Sequence, residues 1–479
     1  MLNFFNNIEE HSKIFLKIFI FLPFIFAFII GILGKLKNPI VLRRISEIVC
    51  FFEFILVSIL MLFSNEISFS VYGFEFSFDK ATSFLIFSLT LAYFLFAILS
   101  KSFLNKLYRL FWSAFLLLFG LINVLILSNN VFASIVMTFF VFLCVYLLNF
   151  VFSPKDKSKF EIQLKSDIFL FFLALILIIF DFSRYFVLNE IPFDFSKITE
   201  NLYHINNSSI LIAFIGFLIV LFRFAGFIPF CGKVLSNSNK TNSFISSLSL
   251  VSFYAITSYF LIKIVQVFDF LFYDYEDYIS LFLILNFIYF TIISFKQNDL
   301  IKFLYSFTPA YFAMSVFSIF SFEEKGLITF LYSSVTYLIV LSFVLAVFLL
   351  VEKFFKSKED DEFNKIAGLL KYFSIFAFLV LLKAPLTPLF SSGLLNLTAI
   401  FSTDYEGIIL NVSAYIILFN MFLMALSVLN LFYRTLIEPQ IQTGAEVKIS
   451  KHQLLTLIIS ALGVVLVGVC PQYFFNVTF

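Results

Sequence analysis

A chain of 479 residues that is 61% hydrophobic and 21% aromatic, with 13% charged residues and a mean hydropathy of +1.03, is not a soluble domain. A soluble domain carries roughly twice that charge and about three-quarters of that apolar content. The net charge of +2 identifies no partner, because what matters in a membrane protein is where its charges lie.

Apolar runs of roughly 18 or more residues, each long enough to cross a bilayer, predict about fourteen spanning helices. In chain order they fall near 14–34, 45–64, 82–100, 108–127, 131–153, 167–188 and 209–232. The remainder fall near 243–268, 279–297, 302–322, 327–352, 370–397, 406–433 and 453–475. The tenth is the weakest by pattern, because so few residues separate it from the ninth. The first run is as long as a span needs and is expected to stay rather than be cleaved as a signal. The 78 phenylalanines beside one tryptophan read as a coding bias toward A/T-rich codons, not as a functional stripe.

Lysines and arginines concentrate in alternate loops, for example Lys35, Lys37, Arg43 and Arg44, then Lys155, Lys157 and Lys159, then Lys353, Lys356 and Lys358. The positive-inside rule turns this into a topology with both termini on the outer side. The linker Glu352–Lys371 mixes both signs of charge and reads as a solvated connector. Cys50, Cys144, Cys231 and Cys470 lack paired spacing, which argues against a disulfide framework or a thiolate metal site. His11, His204 and His452 lie in flanks and loops, so no membrane-embedded histidine is left to ligate haem. No Walker-type glycine loop is present, so ATP hydrolysis by the chain itself is not expected.

Two apolar stretches carry both a cation and helix breakers. In Phe217–Lys233, Arg223 precedes Pro229; in Leu381–Leu394, Lys383 precedes Pro385 and Pro388. Proline removes a backbone donor and clashes one turn back. Unwound backbone within a membrane persists only where protein or water satisfies it. Proline-interrupted spans in both halves of a chain point to inverted-repeat transport proteins. The expected architecture is therefore all-α. An N-terminal three-helix segment covers 1–107, two inverted five-helix repeats cover 108–268 and 279–433, and a C-terminal helix covers 453–479, with the seventh and twelfth spans broken.

Intramembrane charges are functional candidates by default, although structural pairs and snorkelling ends are common. Arg223 is the deeper cation of the first break. Lys383 either places a titratable ammonium in the second break or caps its freed carbonyls. Glu53, in the middle of the second span, is either a protonated or a paired carboxyl. Glu161 and Lys165, at the start of the sixth span, suit a local i,i+4 ion pair or a functional one. Asp181 and Arg184 read as an interfacial pair. Lys17, Lys263 and Lys302 lie near span ends and are expected to snorkel.

Several segments, in order, resemble the antiporter-like subunits of respiratory complex I and their relatives in membrane-bound hydrogenases and multisubunit sodium/proton antiporters. They are FEFSFDKATSFLIFSL (75–90), ILSNNVFASIVMTFFVFLCVYLL (126–148), FEIQLKS (160–166), NDLIKFLYSFTPAYFAMSVFSI (298–319), IAGLLKYFSIFAFLVLLKAPLTPLFSSGLLNL (366–397) and YRTLIEP (433–439). The resemblance covers roughly residues 75–435, and 298–319 is its most specific part. It implies fourteen helices and the two inverted repeats. Chain N of the NADH-quinone oxidoreductase is the first match, on length, on Glu161 and Lys165, and on Tyr332.

The resemblance also marks departures. The family's fifth-helix glutamate falls at Phe139, its seventh-helix lysine at Phe224 beside Arg223, and its eighth-helix cation near Ala255. Its twelfth-helix lysine or glutamate falls near Gly393 or Leu394. Most of the titratable axis is therefore missing, and an arginine supplies charge without releasing its proton. The resemblance implies a non-redox membrane-arm subunit that couples electron transfer in partner subunits to proton translocation, with reduced proton conduction as one form of it. The chain is expected to hold no cofactor. NADH or another donor, flavin, iron–sulfur clusters and quinone would belong to peripheral-arm and membrane-arm partners. The expected location is a bacterial inner membrane, with a mitochondrial inner membrane as the alternative. A hydrogenase or cation/proton antiporter subunit is the alternative within the family. A stand-alone secondary transporter, such as a lipid-linked sugar flippase, is the alternative outside it. A flippase needs several arginines within its spans, and Arg223 is nearly alone.

Overall fold

The computed structural model describes residues 2–33, 39–63, 67–71, 74–100, 108–152, 165–166, 168–181, 194–195, 198, 210–230, 243–321, 324–356, 368–401, 408–437 and 450–469. These residues form fifteen α-helices. The first eight are α1 (Leu2–Leu33), α2 (Pro39–Phe63), α3 (Lys80–Leu99), α4 (Tyr108–Leu127), α5 (Val131–Phe152), α6 (Ile168–Asp181), α7 (Leu211–Ala225) and α8 (Ser243–Asp274). The other seven are α9 (Glu276–Lys296), α10 (Leu300–Val316), α11 (Glu324–Lys356), α12 (Gly368–Leu381), α13 (Pro388–Phe401), α14 (Ile408–Phe432) and α15 (Lys451–Val469). Eleven helices are long and apolar enough to cross a membrane, while α6, α7, α12 and α13 are shorter apolar helices. The short helices lie in the stretches read from sequence as the sixth, seventh and twelfth spans.

One element has no counterpart in the all-α expectation. Strands β1 (Ile67–Val71) and β2 (Phe74–Phe78) pair antiparallel in register Ile67↔Phe78 to Val71↔Phe74. Alternating phenylalanines and serines suit a half-buried ribbon. Phe69 stacks on Phe76 across the pair at 5.4 Å. Asp79 then starts α3 with a reciprocal capping box: its carboxylate accepts from the Thr82 amide at 2.7 Å, and Thr82 Oγ1 accepts from the Asp79 amide at 3.0 Å.

The chain divides into two compact units. The first comprises Met1–Phe224, Pro229–Lys233 and Asn239–Leu271; the second comprises Ala225–Ile228, Val234–Ser238 and Phe272–Phe479. In the first unit, α1 packs antiparallel to α4 because small residues let their backbones approach. A Cβ on Gly120 would stand 3.0 Å from the Phe24 ring, and Ser113 Oγ donates to the Ala27 carbonyl at 2.9 Å. Without a hydrophobic drive between helices in lipid, such close contacts hold them together. Gly216 plays the same part between α6 and α7, where a Cβ would stand 2.9 Å from the Ala174 carbonyl oxygen.

In the second unit, α11 is buried along the described part of its span, as a central helix must be, and carries buried hydroxyls among its apolar residues. Helices α10, α12, α13 and α15 pack around it, while α9 packs on α10 and α14. The turn Gln297–Asp299 suffices to join α9 to α10, so the short connection that weakens the tenth span by pattern is real. Among the described residues, Cys50 and Cys144 are free thiols.

Candidate functional site at the broken helix

The stretch Leu381–Leu394 is broken as its prolines require, and its geometry can be followed bond by bond. Helix α12 closes with the Lys383 amide donating to the Val380 carbonyl at 3.0 Å and the Ala384 amide to the Leu379 carbonyl at 3.0 Å. This is the Schellman pattern, with Lys383 in the left-handed position at φ 57°. Glycine normally fills that position because a Cβ there is strained. Leu386 is left-handed as well, at φ 69°. Thr387 turns the chain again, its Oγ1 donating to the Ala384 carbonyl at 2.6 Å. Pro388 then occupies the first position of α13, where its missing N–H costs nothing. Pro385 sits exposed within the turn.

The Leu379, Val380 and Ala384 carbonyls are thus capped by backbone and Thr387, and the Lys383 side chain makes other contacts. Its ammonium lies 3.2 Å from Met314 Sδ and 5.7 Å from the centre of the Tyr311 ring, both on α10. It also lies 3.6 Å from where a Cβ on Gly393 would stand, with Cδ at 3.4 Å. A cation over an aromatic face is stabilised by about 0.5–2 kcal/mol. No carboxylate pairs with this ammonium among the described residues.

A run of buried hydroxyls continues from the lysine. Tyr311 stacks on Tyr337 with ring centres 4.2 Å apart and shares a hydrogen bond with Ser392 Oγ at 2.9 Å. Tyr337 bonds to Thr308 Oγ1 at 2.8 Å. Also on α13, Ser391 bonds to the Tyr332 hydroxyl at 2.8 Å, and Asn396 Oδ1 accepts from Ser333 at 3.1 Å. Two polar atoms here have no hydrogen-bond partner: Asn396 Nδ2 and Ser334 Oγ. Sequence reasoning singled out Lys383, Pro385, Pro388 and Tyr332, with Ser391, Ser392 and Gly393 following in the same stretch, but missed Tyr311, Tyr337, Thr308 and Asn396. Tyr311, Tyr337 and Thr308 lie in 305–337, a stretch rich in Tyr, Ser and Thr, which was the available signal for them.

The first break differs from expectation. Gly226, at φ 76°, ends α7 before Pro229 is reached, so the glycine stops the helix and the exposed proline lies in the turn beyond it. Within the second unit, Asn286 on α9 satisfies the unwound backbone: its Oδ1 accepts from the Ile228 amide at 2.8 Å, and its Nδ2 donates to the Ile228 carbonyl at 3.4 Å. Phe227 packs edge-on against Phe282 at 6.1 Å. Asn286 was not recognised in the sequence.

The remaining candidates scatter. Arg223, in the last turn of α7, lies with its guanidinium 5.7 Å from the centre of the Phe142 ring. Phe139 packs against Phe171 at 5.2 Å and Phe172 at 6.1 Å, so rings fill that part of α5. Lys263 corrects the snorkelling expectation. It is 5% exposed, lies 3.8 Å from the Asp79 carboxylate and 5.9 Å from the centre of the Phe195 ring, and α8 runs past it to Asp274. Asp181 is buried and accepts from the Ala213 amide at 2.7 Å, neutralising the free N–H end of α7. Lys302 pairs with Asp299, and the Lys17 ammonium lies 5.7 Å from the centre of the Phe69 ring. Lys165 is exposed, and its expected partner Glu161, like Arg184, lies outside the described residues. Glu53 is fully buried with both carboxyl oxygens unbonded. No group of three or more His, Cys, Asp or Glu side chains that could hold a metal occurs among the described residues.

No protein-family profile and no curated protein matches the sequence. Solved structures do. A chain of respiratory complex I from Thermus thermophilus with bound NADH matches at a TM-score of 0.82 and 15% identity, covering 97% of each chain. The fold is that of the antiporter-like subunits of the complex I family. A chain of the Mrp complex from Dietzia sp. DQ12-45-1b shares this antiporter-like fold at a TM-score of 0.82 and 12% identity, covering 97% of this chain and 95% of that one. A chain of the membrane-bound sulfane sulfur reductase, an archaeal respiratory membrane complex, shares it at 0.78 and 13%, covering 97% and 96%. Identities this low carry the antiporter-like fold alone, and chemistry has to be argued from the side chains.

Proposed function

We propose that the chain is a non-redox membrane subunit of a complex I type assembly, a proton-translocating NADH-quinone oxidoreductase, and that Lys383 is its ionisable centre. The observation that carries this reading is the Lys383 ammonium held over Tyr311 and Gly393 at the head of a buried hydroxyl run. The family resemblance puts a lysine or glutamate near Gly393 or Leu394. A cation reaching back from the break into that space supports a relocated ionisable group rather than a lost one. In the proposed role, Lys383 takes up and releases a proton. Tyr311 and Ser392 offer the next hydrogen-bonding groups, and the unwound segment gives the room a mid-membrane site needs.

In this reading the two breaks belong to two inverted repeats, 108–268 and 279–433, and both termini face the outer side of a bacterial inner membrane. Donor, flavin, iron–sulfur clusters and quinone lie in partner subunits. Isolation in mild detergent tests the assembly. Co-purification with iron–sulfur and flavin subunits supports it, and a chain that purifies alone overturns it. Lys383→Met tests the centre: donor-driven proton uptake by membrane vesicles is expected to fall at least tenfold with the complex still assembled.

A second reading, a subunit of a cation/proton antiporter, is supported by the equal TM-score of the Mrp complex chain. It predicts sodium-driven proton movement in vesicles without any electron donor, which the first reading does not.

A further inference from the structure

The first four helices contain a carboxyl that nothing in the break explains. The described buried residues of α2 form one stripe, Leu42, Ser46, Val49, Cys50, Glu53, Leu56, Val57 and Leu60, at helical spacing. Glu53 is the acidic member of that stripe. It is 0% exposed, and neither carboxyl oxygen has a hydrogen-bond partner. Helices α1, α3 and α4 pack on α2. Next to Glu53 in sequence, Phe54 lies against Phe87 at 5.2 Å and Phe94 at 6.5 Å, so the neighbouring wall is aromatic.

The charged and titratable groups of these helices are engaged elsewhere or lie away from this level. On α1, the Lys17 ammonium lies over the Phe69 ring, and His11 and Lys13 are nearer the helix start. On α3, the Tyr93 hydroxyl bonds to Ser252 at 2.7 Å. On α4, Arg109 bonds to the Gly31 carbonyl. On α2 itself, Arg43 pairs with Glu47 at 2.9 Å, Arg44 lies beside it in the helix start, and Cys50 is a buried free thiol one turn from Glu53. None of them bonds to Glu53.

A second unsatisfied side chain lies in the same group of helices. Asn123 on α4 is 0% exposed, and both its amide oxygen and its amide nitrogen lack partners. Tyr93 on α3 stacks on Phe119, one turn before Asn123, at 4.7 Å. Phe54 spans the α3 positions Phe87 and Phe94, on either side of Thr90. These ring contacts place Glu53 near the level of Thr90 and Asn123 within about a turn of it. Unpaired buried polar atoms are rare in folded proteins, and each needs a reason.

An ionised carboxylate without a partner in an apolar interior is far costlier than the neutral acid. We propose that Glu53 is a proton-bearing carboxylic acid, and that Glu53 with Asn123 forms a proton-holding site within α1–α4, separate from the broken helix. The neutral acid offers one O–H donor and one carbonyl acceptor. A carboxamide offers the matching acceptor and donor, so Asn123 is chemically suited to take the acid's hydrogen bond.

The test uses the full chain in its native complex or membranes. Infrared difference spectra in H2O and D2O are compared for the wild type and Glu53→Gln, in the carbonyl-stretch region of protonated carboxylic acids. Loss of a deuterium-sensitive band in the variant supports the site, and an unchanged band overturns it. Asn123→Leu is expected to shift that band without removing it. Should Glu53→Gln fail to fold, the wild type decides alone, by treatment with a hydrophobic carbodiimide. The reagent takes the acid's proton on nitrogen while the carboxyl oxygen adds to its central carbon, so it labels protonated carboxyls in apolar surroundings. A mass-shifted peptide carrying the adduct on Glu53 supports the proposal. Recovery of that peptide unmodified, with other carboxyls labelled, overturns it.

Discussion

The ammonium of Lys383 and the missing side chain of Gly393 share one space. Nζ lies 3.6 Å and Cδ 3.4 Å from the point where a Cβ on Gly393 would stand. Gly393→Ala therefore meets the lysine at ordinary contact distance. It should leave proton uptake near wild type while stabilising α13 by up to about 1 kcal/mol, the helical advantage of alanine over glycine. Gly393→Leu needs the volume the lysine occupies. It should reduce uptake as strongly as Lys383→Met and cost about 1–3 kcal/mol by overpacking. Vesicle proton uptake and thermal unfolding of the two variants check both halves.

The return from the break is fixed by a second glycine. A Cβ on Gly468 of α15 would stand 2.5 Å from the Leu386 carbonyl oxygen and 3.0 Å from the Pro388 nitrogen, and backbone does not yield as a side chain does. Gly468→Ala should destabilise the protein by about 1–3 kcal/mol. Leu386 is 77% exposed and left-handed at φ 69°. Leu386→Gly should stabilise it by up to about 1 kcal/mol, because a left-handed non-glycine residue costs about 1–2 kcal/mol and glycine's chain entropy returns part of that. Opposite shifts in melting temperature are the expected result.

Tyr311 has two functions that substitutions can separate. Tyr311→Phe keeps the ring under Lys383 and the stack on Tyr337 but removes the bond to Ser392. It should cost about 1 kcal/mol in stability. If protons pass through the hydroxyl, uptake falls; a variant that pumps normally would show that the ring alone matters. Tyr311→Leu loses both contacts and should be the more damaging change in both measurements.

The Lys263–Asp79 pair lends itself to a double-mutant cycle. Asp79→Asn keeps an oxygen for the Thr82 amide but removes the charge facing Lys263, while Asp79→Ala also removes the cap, worth about 1 kcal/mol. Removing one partner of a buried pair costs up to about 3–5 kcal/mol. Asp79 is partly exposed and the separation is 3.8 Å, so the value should fall at the low end. Lys263→Met combined with Asp79→Asn should recover part of each single loss.

What the sequence determined by itself was the class of protein and its breaks. Apolar runs and hydropathy set the helices, because a bilayer of fixed thickness leaves a chain few other ways to satisfy its backbone. Prolines at 385 and 388 fixed the second break, since they cannot donate wherever the chain folds. Only the tertiary structure decided which glycine ends α7, that Asn286 satisfies Ile228, that Lys263 is buried beside Asp79, and that Lys383 reaches Gly393. Each of these depends on which helix lies beside which. A lysine stem spans about a turn of helix, so its position in sequence does not fix where its charge comes to rest. The Lys383 ammonium comes to rest beside Gly393, ten positions away in sequence, and only packing reveals that the space is shared.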